Sequence, residues 1–81
     1  MGFSIRIKKV LPLDDMVLSV EFENGISKLY DVKQLIPGFP IYERLRNRAL
    51  FNLVHVDCSG CAVAWNEDID ISELELWEGG I

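Results

Sequence analysis

Eighty-one residues with thirteen acids against eight bases, a formal net charge of −5, exclude a chain that wraps nucleic acid, because phosphate binding needs a basic face. Hydrophobic residues make up 49% of the chain, ample for a packed core, yet no apolar run reaches the roughly 18 residues of a bilayer span. A chain of this size buries only about 60% of its unfolded surface, so part of the apolar content is expected to be covered by a partner or a second copy.

One domain over residues 1–81 is the expectation, with no repeat, linker or low-complexity tract. The opening MGFSIRIKKV lacks the apolar core and small-residue cleavage site of a secretory signal. Arg6 stands where a myristoylation signal after Gly2 wants Ser or Thr. A cytoplasmic location is expected, with paired thiols kept reduced. Two basic clusters, Arg6/Lys8/Lys9 and Arg44/Arg46/Arg48, are set against the acidic balance, and the second reads as a solvated helix face. An acidic domain steers towards a cationic protein partner.

In FSIRIKKVLPL, Phe3, Ile5 and Ile7 alternate with polar neighbours and predict a first strand that ends at Pro12, with Asp14 and Asp15 turning the chain. MVLSVEF puts Leu18, Val20 and Phe22 on one face of a second strand and Val17, Ser19 and Glu21 on the other. Asn24-Gly25 then signals a hairpin into ISKLYDV. A two-residue loop places Glu21 opposite Lys28 and Val20 opposite Leu29, whereas a three-residue loop with a bulge at Gly25 pairs Phe22 with Ile26. The apolar and ionic pairs favour the shorter loop. Asp31 is placed to cap a helical turn, VKQLI, ended by Pro37-Gly38. PIYERLRNRALF reads as the main helix, with Pro40 in its first turn and Ile41, Leu45 and Ala49 at helical spacing. NLVHVDC and CAVAW are the last two strands. Ser72-x-x-Glu75 is a capping-box spacing ahead of a short helix, ELELW, that Gly79-Gly80 ends. The fold class that results is α+β: a small antiparallel sheet of about five strands in two hairpins, one main helix and a short C-terminal helix.

The Cys58-x-x-Cys61 spacing is the first candidate for chemistry. A zinc site needs four ligands, and one pair plus the single histidine, His55, falls short. A redox pair sits at a helix N-terminus, whereas both flanks here are strand-like. A two-residue loop at Ser59-Gly60 sets Cys58 opposite Cys61, Val56 opposite Val63 and Val54 opposite Trp65, all on the core face. His55 and Asp57 then lie on the other face, opposite Ala64 and Ala62. Two small buried hydrophobes are therefore expected. A metal shared across a dimer and an adventitious disulfide remain as alternatives. His55 has no nucleophile motif beside it. The acids Glu67, Asp68, Asp70, Glu73 and Glu75 lack the glycine and twelfth-position glutamate of a calcium loop, and read as a turn and helix start. Trp65 is expected in the core, and Trp77 either lids the core or anchors a partner, and it is the residue expected at a partner contact.

Phe22-Glu23-Asn24-Gly25, Tyr30-Asp31-Val32 with Leu35, Phe51-x-x-Val54-x-Val56, and Trp65 with Asp70-Ile71 recur in an order and spacing that resembles the bacterial "domain of unknown function 2442" family, from Ile5 to Trp77. The family usually has Asn-Gly in its Trp-to-Asp stretch, where this chain has Glu67-Asp68, so Asp68 is expected to tolerate the left-handed conformation there. The resemblance implies a small α+β domain without an established activity and without catalytic residues to carry over. Members often resemble the second partner of two-gene, toxin–antitoxin-like operons. Some add a helix-turn-helix; none is expected here, so DNA binding is not carried over. Asp31 and Asp70 match recurring acids, and helix capping is expected of both.

The functional expectation is a non-enzymatic acidic binding module for a small basic protein, antitoxin-like, without cofactor, membrane or nucleic acid of its own. The alternative is a homodimeric small-ligand binder or accessory enzyme with a pocket where sheet meets helix.

Overall fold

The computed structural model describes residues 5–81, and Phe3 of the expected first strand lies outside them. The chain is α+β, with two small antiparallel sheets where one was expected. The first sheet comprises β1 (Ile7–Pro12), β2 (Val17–Phe22) and β3 (Ser27–Asp31), in that spatial order. The second comprises β4 (His55–Asp57), β5 (Ala62–Ala64) and β6 (Asp70–Ser72), with β5 in the centre. Between the sheets runs a helical segment, and α2 (Glu73–Gly79) closes the chain.

Leu18, Val20, Phe22 and Tyr30 form the inner face of the first sheet, each fully buried, as the alternation in MVLSVEF requires. Val63 and Ile71 meet them from the second sheet, Trp65 from just after β5, and Leu45, Phe51 and Leu76 from the helical elements. The core therefore lies between all the layers.

The β2–β3 hairpin takes the longer loop. Val20 pairs with Lys28 and Ser19 with Leu29, so the register is one residue off the expected two-residue form. The Phe22 N–H donates to the Ile26 carbonyl, and Gly25, at φ +86°, donates back to Phe22. Asn24 Oδ1 accepts from the Ile26 N–H at 3.0 Å. The shift has a packing reason: Leu29 joins the outer face, and Lys28 turns inward to the end of α2, its Nζ 4.1 Å from the Trp77 ring centroid.

The expected main helix is broken. Pro40–Arg46 is 3₁₀ and α1 (Arg48–Phe51) is a separate turn. Asn47 sits between them in an extended conformation, and its side chain accepts from the Leu50 N–H, a cap in the middle of the predicted helix. Pro40 does occupy the first turn. Ile41 and Ala49 are exposed, and only Leu45 of the helical triplet is buried.

β6 was not foreseen. The Asn66 side chain accepts from the N–H groups of both Asp68 and Ile69, and the Trp65 N–H donates to the Ile69 carbonyl, closing a tight return from β5. Asp68 is not among the left-handed residues, so the expected strain there is absent; the Asn66 side chain makes the turn instead. Asp70 lies within β6 opposite Ala64 and is not a cap. Ser72 caps α2, accepting from the Glu75 N–H at 3.2 Å. The other half of the capping box is missing, because the Glu75 carboxylate accepts from the Tyr30 hydroxyl at 2.7 Å.

Candidate interaction surface and a cationic hollow

The β4–β5 register is the one the Cys-x-x-Cys hairpin predicts: Val56 pairs with Val63, His55 with Ala64 and Asp57 with Ala62. The fate of the cysteines differs. Cys58 and Ser59 both take left-handed conformations, at φ 45° and 54°, followed by Gly60 at φ 108°. Cys58 thus leaves the extended geometry on which strand parity depends and becomes exposed, while Cys61 is half-buried. The two are joined in a disulfide, not held as buried thiols. His55 is exposed, with Nδ1 3.2 Å from the Leu53 carbonyl. Among the described residues no group of three or more His, Cys, Asp or Glu side chains is placed to hold a metal ion, and no helix is long and apolar enough to cross a membrane.

Trp77 is half-buried, its ring edge-on to Phe22 with centroids 5.0 Å apart and Lys28 over one face. It lids the end of the core. Burial, then the hydrogen bond and charge of Glu75, push the Tyr30 hydroxyl far above its ordinary pKa of 10.0. Tyr30 is thereby fixed as a neutral donor that ties α2 to β3.

Asp31 does cap the turn Val32–Leu35, accepting from the Lys33 N–H at 3.0 Å. Lys33 Nζ also lies 2.9 Å from Asp31 and 3.2 Å from Asp15 and bonds the Asp15 carbonyl. Desolvation works to raise the Asp31 carboxyl, but the hydrogen bonds and charge of Lys33 outweigh it and hold the group below 3.8. A depressed carboxylate stabilises the fold above its unfolded pKa and loses that contribution as pH falls through the folded value. Asp31→Asn retains a good cap. It is therefore expected to flatten the fall in stability below about pH 4 and to cost under about 1 kcal/mol at pH 7, for so exposed a pair. Urea midpoints measured from pH 6 down to acid unfolding check this.

Charge is also divided between the two halves of the chain, a signal that the separate basic and acidic clusters do not reveal. Residues 49–81 hold seven acids and neither lysine nor arginine, while residues 1–48 hold six acids and eight bases. The halves therefore carry −7 and +2, which sum to the chain's −5. Among the described residues every ion pair falls in the first half: Lys8–Glu21, Lys33–Asp15, Lys33–Asp31, Arg46–Glu43 and Arg48–Asp14. The second sheet and α2 form the unneutralised part. Asp57 on β4, Asp70 on β6, Glu67 and Asp68 in the turn between β5 and β6, and Glu75 and Glu78 on α2 are all exposed. Exposed Leu53 and Leu74 add apolar surface to this half of the chain.

The opposite feature lies where the β1–β2 turn meets the helical segment. A hollow of about 220 Å³ is lined by Asp15, Met16, Leu45, Arg46, Arg48 and Phe51. Met16, Leu45 and Phe51 are its buried apolar members. Asp15 and Met16 are both left-handed, at φ 60° and 58°, as the central pair of a turn closed by the Val17 N–H on the Asp14 carbonyl. Neither is a glycine; Asp tolerates this conformation, but at Met16 it costs about 1–2 kcal/mol. Two cations hold the turn from its sides: Lys33 on Asp15, and Arg48 Nη1 on the Leu13 carbonyl at 2.8 Å.

Residues 7–81 match the family model described as "Protein of unknown function (DUF2442)". No curated protein and no solved structure matches the chain. With the match running through both sheets to the end of α2, the chain belongs to the DUF2442 family.

Proposed function

We propose that this domain is a non-enzymatic acidic protein-binding module that pairs in the cytoplasm with a small basic protein, as the antitoxin-like half of a two-gene pair. The observation that carries the reading is the segregation of charge, seven acids in residues 49–81 with no lysine or arginine among them. Like charges gathered on one sheet and one helix repel one another, a cost that a cationic surface reverses. Such complementarity acts mainly on association rate and partner choice, and exposed apolar side chains such as Leu53 and Leu74 supply contact area.

The product of the adjacent reading frame, co-expressed and co-purified, is the test. Binding is expected to weaken at least about tenfold on the triple change Glu67→Lys, Asp68→Lys and Glu78→Lys, and to weaken as salt rises. Glu75 is left intact because it holds Tyr30. No complex with that product, together with no rescue of growth when the two are co-expressed, overturns the reading.

A further inference from the structure

We infer that the hollow between the β1–β2 turn and the helical segment is a binding site for a small aryl carboxylate. The inference stands apart from the basic-partner reading, since it uses the opposite charge and a different part of the surface. Three features carry it. The first is composition: the apolar residues Met16, Leu45 and Phe51 and the basic residues Arg46 and Arg48 line one hollow. That combination suits a ligand with a flat apolar body and an anionic end. Its volume of about 220 Å³ is below the ~300 Å³ at which drug-sized pockets begin, so it takes a molecule of roughly ten heavy atoms.

The second is the state of the two arginines. Arg46 engages Glu43 through Nε, and among the described residues its two Nη groups have no partner. Arg48 spends Nη1 on the Leu13 carbonyl, and Nη2 lies 3.7 Å from Asp14, a fully exposed carboxylate. An exposed pair at that distance is weak and gives way to a better-placed acid. The planar edge of a guanidinium donates two parallel hydrogen bonds to a carboxylate. The acid in the wall, Asp15, is engaged with Lys33 at 3.2 Å, which offsets its charge.

The third is preorganisation. The wall is a turn of two left-handed non-glycine residues held by Lys33 and Arg48, and strained backbone kept in place by its surroundings is a feature of ligand clamps.

Phenylacetate, titrated into the ¹⁵N-labelled chain and followed by amide shifts, is the test. The expected result is saturable shifts at Asp15, Met16, Leu45, Arg46 and Phe51, with phenylacetamide, which lacks the charge, binding at least tenfold more weakly. Arg46→Gln, on an exposed side chain, is expected to weaken phenylacetate at least fivefold, and Glu43→Gln, which releases Arg46, to tighten it. Arg48→Gln serves as the second variant, with its far-UV spectrum recorded to show that it folds. Shifts that do not saturate, that fall elsewhere, that are equal for the amide, or that survive both arginine changes in folded protein overturn the inference.

Discussion

Trp65→Ala is expected to lower the free energy of unfolding by about 3–5 kcal/mol, a large share of the ~5–15 kcal/mol that a domain has in total. Three contacts set that size. The ring is 4% exposed, it stacks on Phe51 with centroids 5.9 Å apart, and its Nε1 donates to the Phe51 carbonyl at 2.9 Å. Trp65 follows β5, and Phe51 ends α1, so one side chain joins the second sheet to the helical segment. Truncation removes the ring's buried area and leaves a cavity that surrounding strands, fixed by their ladders, cannot collapse to fill. Trp65→Phe separates the two contributions. It keeps most of the apolar volume but removes the indole donor, leaving the Phe51 carbonyl with the longer 3.3 Å bond from the Val54 N–H. A cost of about 1–2 kcal/mol is expected there. Urea denaturation followed by far-UV circular dichroism reads both, with the midpoint falling and the slope unchanged. A loss under about 1 kcal/mol for Trp65→Ala would mean that Trp65 does not bridge these layers.

The same tryptophan shows what was legible in the sequence. Val54, Val56, Val63 and Trp65 share a face because alternation along a strand is dictated by the backbone, and the β4–β5 register follows from it. Where the backbone leaves the extended conformation, parity stops predicting. Cys58 sits in sequence where a core-facing residue belongs, yet its φ of 45° swings it out to solvent. The β2–β3 hairpin failed for another reason. Both registers make reasonable cross-strand pairs, and the choice is made by Lys28 reaching the end of α2, a contact between residues some fifty positions apart. No local pattern encodes that.

Helical spacing misled in PIYERLRNRALF for a local cause that was readable. Asn47 competes with the helix by offering its side chain to the Leu50 N–H, so one predicted helix becomes a 3₁₀ stretch and a single α-turn. β6 was hidden by its acids. Asp70 and Ser72 face outward and only Ile71 points to the core, leaving a single apolar residue to mark a three-residue strand. The two surfaces proposed as functional were hidden differently. The acidic half was visible in the plain order of charges. The hollow depends on the β1–β2 turn meeting residues thirty positions later, which only the fold brings together.

Gly60→Ala is expected to cost about 2–5 kcal/mol, from one added methyl group. A Cβ at that position would stand 2.8 Å from the Ile7 carbonyl oxygen and 2.9 Å from Arg6 Cβ. Neither is the free end of a flexible side chain, so relief requires β1 and the β4–β5 turn to move apart. The backbone adds to this, because φ at Gly60 is +108°, a conformation in which an L side chain is strained. At this contact the Gly60 backbone closely approaches the start of the first sheet, and beside it the Arg6 guanidinium reaches the Cys58 carbonyl. Gly38 supplies the control. A Cβ there meets nothing within 4 Å, and its φ lies outside the left-handed region. Gly38→Ala is accordingly expected to be neutral or to stabilise by up to ~1 kcal/mol, by narrowing the unfolded ensemble. Thermal melts give the two energies. Amide exchange locates the damage: protection should fall first at Val56 and Val63, paired across β4 and β5, and only later at Leu18 and Val20 in the first sheet. If Gly60→Ala melts with Gly38→Ala, or if protection falls equally in both sheets, the close approach at Gly60 is not what holds the sheets in register with each other.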